Sequence, residues 1–415
     1  MTLRISTALF HQRGLSGILE QQSALVDIQS KIASGKRISS PADDPSGSVQ
    51  VIRLSQASSV TEQYIRNSDA AVNRLQLEEN TIKGAEDILL RVRELAVQAG
   101  NSTLSNQDRG AIAIEIRQQL QGLLGLANTR DANQEFLFSG NLVKQQPFSQ
   151  LAAGNIVYNG DQGTRAVQIS SGQQVIDSDS GMSVFMDISN GNGDFYTETA
   201  GANTGTGIID PGFIHDSTAY VADDYTINFV INGNGQLAYN VSGVNSGQLV
   251  PPLPQNPVTD AIAYVEGAAI RFNGIETKLD GQPVAGDNFA VKSSIKQDVF
   301  TSISQLAAAL ENPVPDSVQG AKLQSQIGAS IENIDRAMDN FGITRSSIGS
   351  RLKLIESRVE TNESFLLEIT STLSEIEDLD IVSAATELQQ RLSSLEASQA
   401  AFVRIQGLTL FNFIR

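Results

Sequence analysis

Cysteine and tryptophan are absent from this 415-residue chain, and histidine occurs only twice, at His11 and His215. Without cysteine there are no disulfides, thiolate metal sites or cysteine nucleophiles. With two histidines far apart in sequence, a histidine metal site or a Ser/His/Asp triad would have to be built around one of them. Positive charge is scarce: 29 Lys and Arg stand against 46 Asp and Glu, a formal net charge of −17. A polyanion of this kind repels nucleic-acid phosphates and anionic membranes, so neither is expected as a partner, and solubility is the plain role of the charge. No apolar run approaches the ~18 residues that span a bilayer. The opening MTLRISTALFHQRG has neither the apolar core nor the small-residue cleavage site of a secretory signal. The expectation is a cytosolic chain, or one that leaves the cell without cleavage of a signal.

Aromatic residues make up 6% of the chain, while 40% is hydrophobic and 18% charged. There is enough apolar material for real cores, arranged in small and aliphatic seams that suit long helices. Proline is nearly missing from residues 1–141 and 299–415, where the pattern is helical. Between them the chain fills with Gly, Asn, Asp, Ser and Thr.

The strongest periodic signal runs from Ile327 to Ile376. Apolar residues recur in alternating steps of four and three, interrupted only by Arg345 and Asn362. A heptad kept up this long predicts a coiled-coil seam, on a helix about 75 Å long at 1.5 Å per residue. The N-terminal half carries a matching stripe through Leu54, Ala57, Thr61, Tyr64, Ser68, Ala71, Leu75, Ile82, Ala85, Leu89, Val92, Ala96 and Ala99, with Glu78 as its charged interruption. Gly100 and Asn101 end that helix. The run Ser105-Asn106-Gln107-Asp108 caps another, whose apolar face is Ile112, Ile116, Leu120, Leu123 and Leu126. Two seams of similar length on one chain are expected to pair with each other; pairing between chains is the alternative. Each buried aliphatic side chain contributes about 1.5–3 kcal/mol, most of it offset by ordering entropy.

The middle, residues 142–298, reads as a β-rich insert. Strands are expected at 166–169, 225–231, 237–241, 268–272 and 289–291, punctuated by Asn232-Gly233 and Asn273-Gly274 turns. The Pro251-Pro252-Leu253-Pro254 piece marks a loop. The expected fold is therefore α+β and multidomain. A long antiparallel coiled-coil rod forms from residues 46–141 and 299–377, terminal helices from 1–45 and 378–415, and a mainly-β domain is inserted at 142–298.

The termini carry stripes of their own. Leu15, Ile18, Leu25, Ile28 and Ile32 lie near one helical face, and Leu388, Leu392, Leu395 and Phe402 keep heptad spacing. Chain ends are usually polar, so the apolar tail Leu408, Leu410, Phe411, Phe413 and Ile414 must bury itself in the fold or against a partner. Between the first two helical patterns lies SGKRISSPADDPSGS, residues 34–48. Gly35 stops one helix, and Asp44 caps the next with Pro45 in its first turn. Paired Asp43 and Asp44 also suit the positive end of a helix dipole; a cation site is the competing reading. Residues 187–194 faintly suggest a calcium loop but lack the EF-hand spacing, and turn chemistry accounts for them. No catalytic constellation rises above the background of abundant carboxylates.

Two helical ends around an inserted β-domain, with apolar tips, is the plan of the flagellin family. The opening LRISTALF, the segment IQSKIASGKRISSPADDPSGS, the phrase Phe136-Leu137-Phe138-Ser139-Gly140 and the C-terminal IEDLDIVSAATELQQRLSSLEASQAAFVRIQGLTLFNFIR resemble the family's hook–filament junction branch, the third hook-associated proteins. The resemblance is strong at both ends and looser from about 142 to 270. Thr2 and Leu3 before Arg-Ile-Ser-Thr, and the Phe-Asn-Phe-Ile-Arg tail, depart from the usual pattern without breaking its apolar character.

The resemblance implies a structural adapter with no enzyme activity and no cofactor or metal. It would be exported unfolded through the flagellar type III apparatus to the extracellular flagellum, with a chaperone shielding its C-terminal segment beforehand. Its implied partners are the first hook-associated protein, flagellin and further copies of itself in a ring or tube. The expected interface is Ile5, Phe10, Leu15, Ile18, Leu25 and Ile28 from the start of the chain. From its end come Leu388, Leu392, Leu395, Phe402, Ile405, Leu408, Leu410, Phe411 and Phe413. Gly35, Lys36, Arg37, Asp43, Asp44 and Pro45 form the family motif. Stripes lacking partners in a lone chain would be buried when subunits pack side by side, with the insert facing outwards. Flagellin or a minor filament subunit, a surface glycan-binding or enzymatic module, and a coiled-coil signalling protein are the alternative readings.

Overall fold

A computed structural model describes residues 7–151 and 154–411. Among the described residues there are six α-helices: α1 (Thr7–Ser34), α2 (Pro45–Ala99), α3 (Asn106–Ala127), α4 (Val299–Glu311), α5 (Ser317–Glu377) and α6 (Ile381–Phe411), with short strands between α3 and α4. The chain divides into two compact units. One holds residues 1–67 and 357–415, the other 68–356; α2 and α5 contribute to both.

Within residues 68–356 the two seams meet as expected. Arg93 of α2 pairs with Asp335 of α5 at 2.7 Å, and Arg345 pairs with Glu86 at 2.7 Å and reaches Glu79 at 3.8 Å. Low numbers on one helix face high numbers on the other, so the pair is antiparallel. Heptad positions from Ala71 to Ala99 on α2 are buried, Glu78 among them. All positions of the α5 stripe from Ile327 to Ile376 are buried or half-buried. α3 starts with a reciprocal capping box between Ser105 and Asp108. It packs on α4, and Arg117 forks onto Glu311 at 2.5 and 2.7 Å. The sequence reading assigned residues 299–377 to the helical rod. The structure interrupts them at Asn312-Pro313-Val314-Pro315, because two prolines cannot continue the ladder of α4.

Aromatic side chains are few but concentrated. Phe185, on a single wide turn at Met182–Met186, stands edge-on to Phe138 at 5.1 Å, Phe148 at 5.5 Å and Phe341 of α5 at 5.4 Å. Phe300 of α4 stacks on it at 5.9 Å. This cluster fastens residues 136–186 to the helices. Gly181 is pressed into it so closely that a Cβ there would lie 2.7 Å from the Phe148 ring.

The rest of the insert is an antiparallel sheet pair around its own core, which includes Phe195, Tyr225, Ile227, Phe229, Ile270, Phe272, Leu279 and Phe289. Tyr225–Ile231 is the centre of the larger sheet, flanked by Leu237–Gly243 and Asn288–Ser293. The alternation of buried and half-buried residues along it is that of a strand with one face on a core. Asn273 and Gly274 have φ of 40° and 76°. They sit between paired Phe272 and Ile275, as a two-residue hairpin requires. The other Asn-Gly pair differs. Asn232 binds Gln236 across a longer loop, and the left-handed residue there is Gly235 rather than Gly233.

Candidate functional site

The terminal unit is built from α1, α6 and the adjoining ends of α2 and α5. α1 packs along α6. Phe402 of α6 sits so near α1 that a Cβ on Gly14 would lie 2.8 Å from its ring, and His11 meets the same ring edge-on at 5.9 Å. Each terminal helix thus has a partner inside its own chain.

The motif at residues 34–48 is the corner between α1 and α2. Gly35 has φ of 71°. It turns the chain out of α1 in the left-handed conformation common just past a helix end. Its carbonyl accepts the Leu379 N–H at 2.9 Å, and Arg37 donates its own N–H to the Glu377 carbonyl at 2.7 Å. Lys36 pairs with the Glu377 carboxylate, and the Arg37 guanidinium donates to the Ile376 carbonyl at 2.7 Å. The corner α1–α2 is thereby sewn to the corner α5–α6. Asp380 starts α6 by accepting the N–H groups of Val382 and Ser383 at 3.0 and 3.2 Å.

The paired aspartates serve this corner. Asp44 Oδ1 accepts the N–H groups of Ser46 and Gly47 at 3.1 and 3.0 Å, with Pro45 as the first residue of α2. Asp43 accepts the N–H of Ser40 at 2.8 Å and meets Lys31 Nζ at 3.2 Å. Backbone donation from Ser40 and the Lys31 ammonium hold the Asp43 carboxyl below the usual carboxylate range. The Gly47 N–H and the Ser46 hydroxyl do the same for Asp44. Both carboxylates are engaged by the protein, and among the described residues no group of three His, Asp or Glu could hold a metal ion.

The expected interface residues fall into two sets. Ile28 is buried; Ile18, Leu25, Leu388, Leu392, Leu395 and Phe402 are half-buried, and Leu15 is exposed. Ile5 and Phe413 lie outside the described residues, as do the side chains of Phe10, Ile405, Leu408, Leu410 and Phe411. Sequence reasoning grouped Leu15 with Ile18, Leu25 and Ile28 and passed over Leu19 and Val26, which share its side of α1. At 100° per residue, Leu15, Leu19 and Val26 fall within about 40° of one another, roughly 100° around the helix from Ile18, Leu25 and Ile28. Leu19 is 55% and Val26 62% exposed. Val49 and Ile52 on α2, Phe365 and Leu367 on α5, and Ile381, Val382 and Val403 on α6 are exposed as well. The signal for the α1 stripe was in the sequence, as apolar residues spaced four and seven apart beside the first set.

Other sequence features resolve as structure. Asn190 Oδ1 accepts the Ile295 N–H at 2.9 Å, and Asn192 Oδ1 accepts those of Asp194 and Phe195, each at 3.0 Å. Residues 187–194 are therefore a turn built on asparagine side chains. His215 has a side chain 53% exposed. A cleft of about 630 Å³ beside strand Phe195–Thr199 is lined mainly by amides, hydroxyls and alanines, with Glu198 ion-paired to Lys292 at 2.6 Å and Lys322 bonded to the Gly201 carbonyl at 2.7 Å. No helix among the described residues is long and apolar enough to cross a membrane.

Residues 5–142 match the family model of the bacterial flagellin N-terminal helical region. The chain is 30% identical over 186 residues to the flagellar hook-associated protein 3 of Salmonella typhimurium, covering 45% of this chain and 58% of that one. Against the Escherichia coli K12 flagellar hook-associated protein 3 it is 22% identical over 411 residues, 99% of each. The crystal structure of the flagellar junction protein FlgL from Legionella pneumophila superposes with a TM-score of 0.73 at 35% identity, covering 79% of this chain and all of that one. With this fold, these terminal helices and that identity over a relative's full length, the chain belongs to the family of the flagellar hook-associated protein 3, structural proteins of the flagellum and not enzymes.

Proposed function

We propose that this chain is the adapter between hook and filament, and that it assembles through the outer face of its terminal helices. The observation that carries the reading is the division of labour on α1. One apolar face is taken up within the chain against α6, while Leu15, Leu19 and Val26 remain in water. Covering such a side chain fully is favourable by about 1.5–3 kcal/mol, and exposed apolar side chains gathered on one side of a helix suit a protein contact. Side-by-side copies in a ring or tube would cover it. The first hook-associated protein on one side and flagellin on the other would continue the same packing. The apolar tail beyond residue 404 would be shielded by an export chaperone before assembly, and export would use the flagellar type III channel. The sheet domain, with a closed core of its own, would face outwards.

The test is electron microscopy of a deletion strain, with flagellin assayed in its medium. Hooks without filaments, together with shed flagellin monomer, are expected. Normal filaments in the deletion strain would overturn the adapter role.

A further inference from the structure

Glu78 stands in the α2 seam, fully buried between Leu75 and Ile82. Its Oε1 accepts the backbone N–H of Asp179 at 3.1 Å, and its Oε2 is buried without a hydrogen-bond partner. The Asp179 carboxylate in turn pairs with Arg351 of α5. Arg351 also donates to the Ile176 carbonyl at 3.1 Å, and eleven residues earlier Asn340 donates to the carbonyls of Ser183 and Val184 at 3.0 and 2.9 Å. Eleven residues are about three turns, so Asn340 and Arg351 share one face of α5. The segment between them is sunk in the protein: Asp177 and Ser178 are each 1% exposed. One residue of the insert thus touches both rod helices, its backbone on α2 and its side chain on α5.

The surrounding seam gives a reason for this. Ala71, Leu75, Ile82, Ala85 and Leu89 repeat at heptad spacing, so apolar contacts alone would be similar after a shift of one turn, and the partly exposed pairs Arg93–Asp335 and Arg345–Glu86 oppose such a shift only weakly. A single polar group at a seam position fits one alignment only, and fixing register is the best-attested use of buried polar residues. We propose that Asp179 is a register clamp, holding α2 and α5 in one axial alignment through Glu78 and Arg351. Burial, and next the nearby Asp179 charge, push the Glu78 carboxyl well above the usual carboxylate range, against the opposing pull of Arg351 and Arg74.

The chain has no cysteine, so paired spin labels at Asn80→Cys and Gln324→Cys, both exposed and about 30 Å apart along the helix axes because Gln324 lies beside Gly100, report the axial alignment directly in the full-length protein. The parent should give one narrow distance, and Glu78→Gln, which keeps an acceptor for the Asp179 N–H, should give the same. Glu78→Leu should retain the parent's Tm or exceed it, yet broaden the distribution or add a population displaced by about 5 Å, one helical turn. A Glu78→Leu distribution that superimposes on the parent's would overturn the clamp, as would broadening in Glu78→Gln. If Glu78→Leu loses its helical circular dichroism, Arg351→Met is read instead: broadening supports the clamp, and an unchanged distance overturns it.

Discussion

Arg37 donates its backbone N–H to the carbonyl of Glu377 across 339 residues of intervening sequence, at 2.7 Å. This bond and the neighbouring one from Leu379 to Gly35 join the two corners of the terminal unit in a short antiparallel bridge at Lys36 and Asp378. Proline at position 37 removes the donor. The expected result is a loss of about 1 kcal/mol locally, read as roughly five-fold faster amide exchange at Leu379. Lys36→Ala should change far less. The Lys36 side chain is 51% exposed. Exposed pairs contribute at most about 1 kcal/mol.

The aromatic cluster predicts a larger effect. Phe185 is fully buried among four other phenylalanines. Phe185→Ala should cost about 3–5 kcal/mol by cavity formation, measured by denaturant unfolding of residues 68–356 in the full chain. Gly181→Ala should cost about 1–3 kcal/mol by overpacking, since its Cβ would sit 2.8 Å from the Phe138 carbonyl oxygen.

Asp298 caps α4 by accepting the Thr301 N–H at 2.6 Å and its hydroxyl at 2.7 Å. Asp298→Ala should lower stability by about 1 kcal/mol, with Asp298→Ser recovering most of it. A smaller change in melting would mean that α4 is held by its packing on α3 alone.

Helices, seams and the corner were legible because each rests on local chemistry. The heptads at Ile327–Ile376 and Leu54–Ala99, the Ser105 box, and Asp44 followed by Pro45 are written within a few residues of where they act. The centre of the sheet was legible for the same reason, through the alternation from residue 225 to 231. The Phe138–Phe185–Phe341 cluster was not, since it joins residues about 200 apart that carry no shared period. Nor was the partnership of Glu78 with Asp179: in sequence Glu78 is only an interruption. The terminal stripes were read as one interface, whereas α1 carries two faces. Which face binds inside the chain depends on where α6 lies, and spacing on α1 alone does not contain that.

Stability should depend on pH through Glu332 of α5. Burial pushes its carboxyl up to about 7, with Asp210 and Asp335 adding to the shift and Arg336 opposing it. The folded chain holds this proton more tightly than the unfolded one, whose carboxyl titrates near 4.5. The contribution is complete below that value and is lost as pH rises to about 7. Glu332→Gln should flatten the fall in Tm across that window. An unaltered pH profile would show that Glu332 titrates alike in both states.

Assembly through the exposed side of α1 is tested most directly by changing that side while leaving the inner seam intact. Leu19→Glu and Val26→Glu together place two charges on side chains already in water, so the monomer should keep its circular dichroism and its melting temperature. Expressed in a strain lacking the native chain, this variant is predicted to leave bare hooks and release flagellin monomer into the medium. Full-length filaments on hooks carrying the doubly charged variant would contradict assembly through this face.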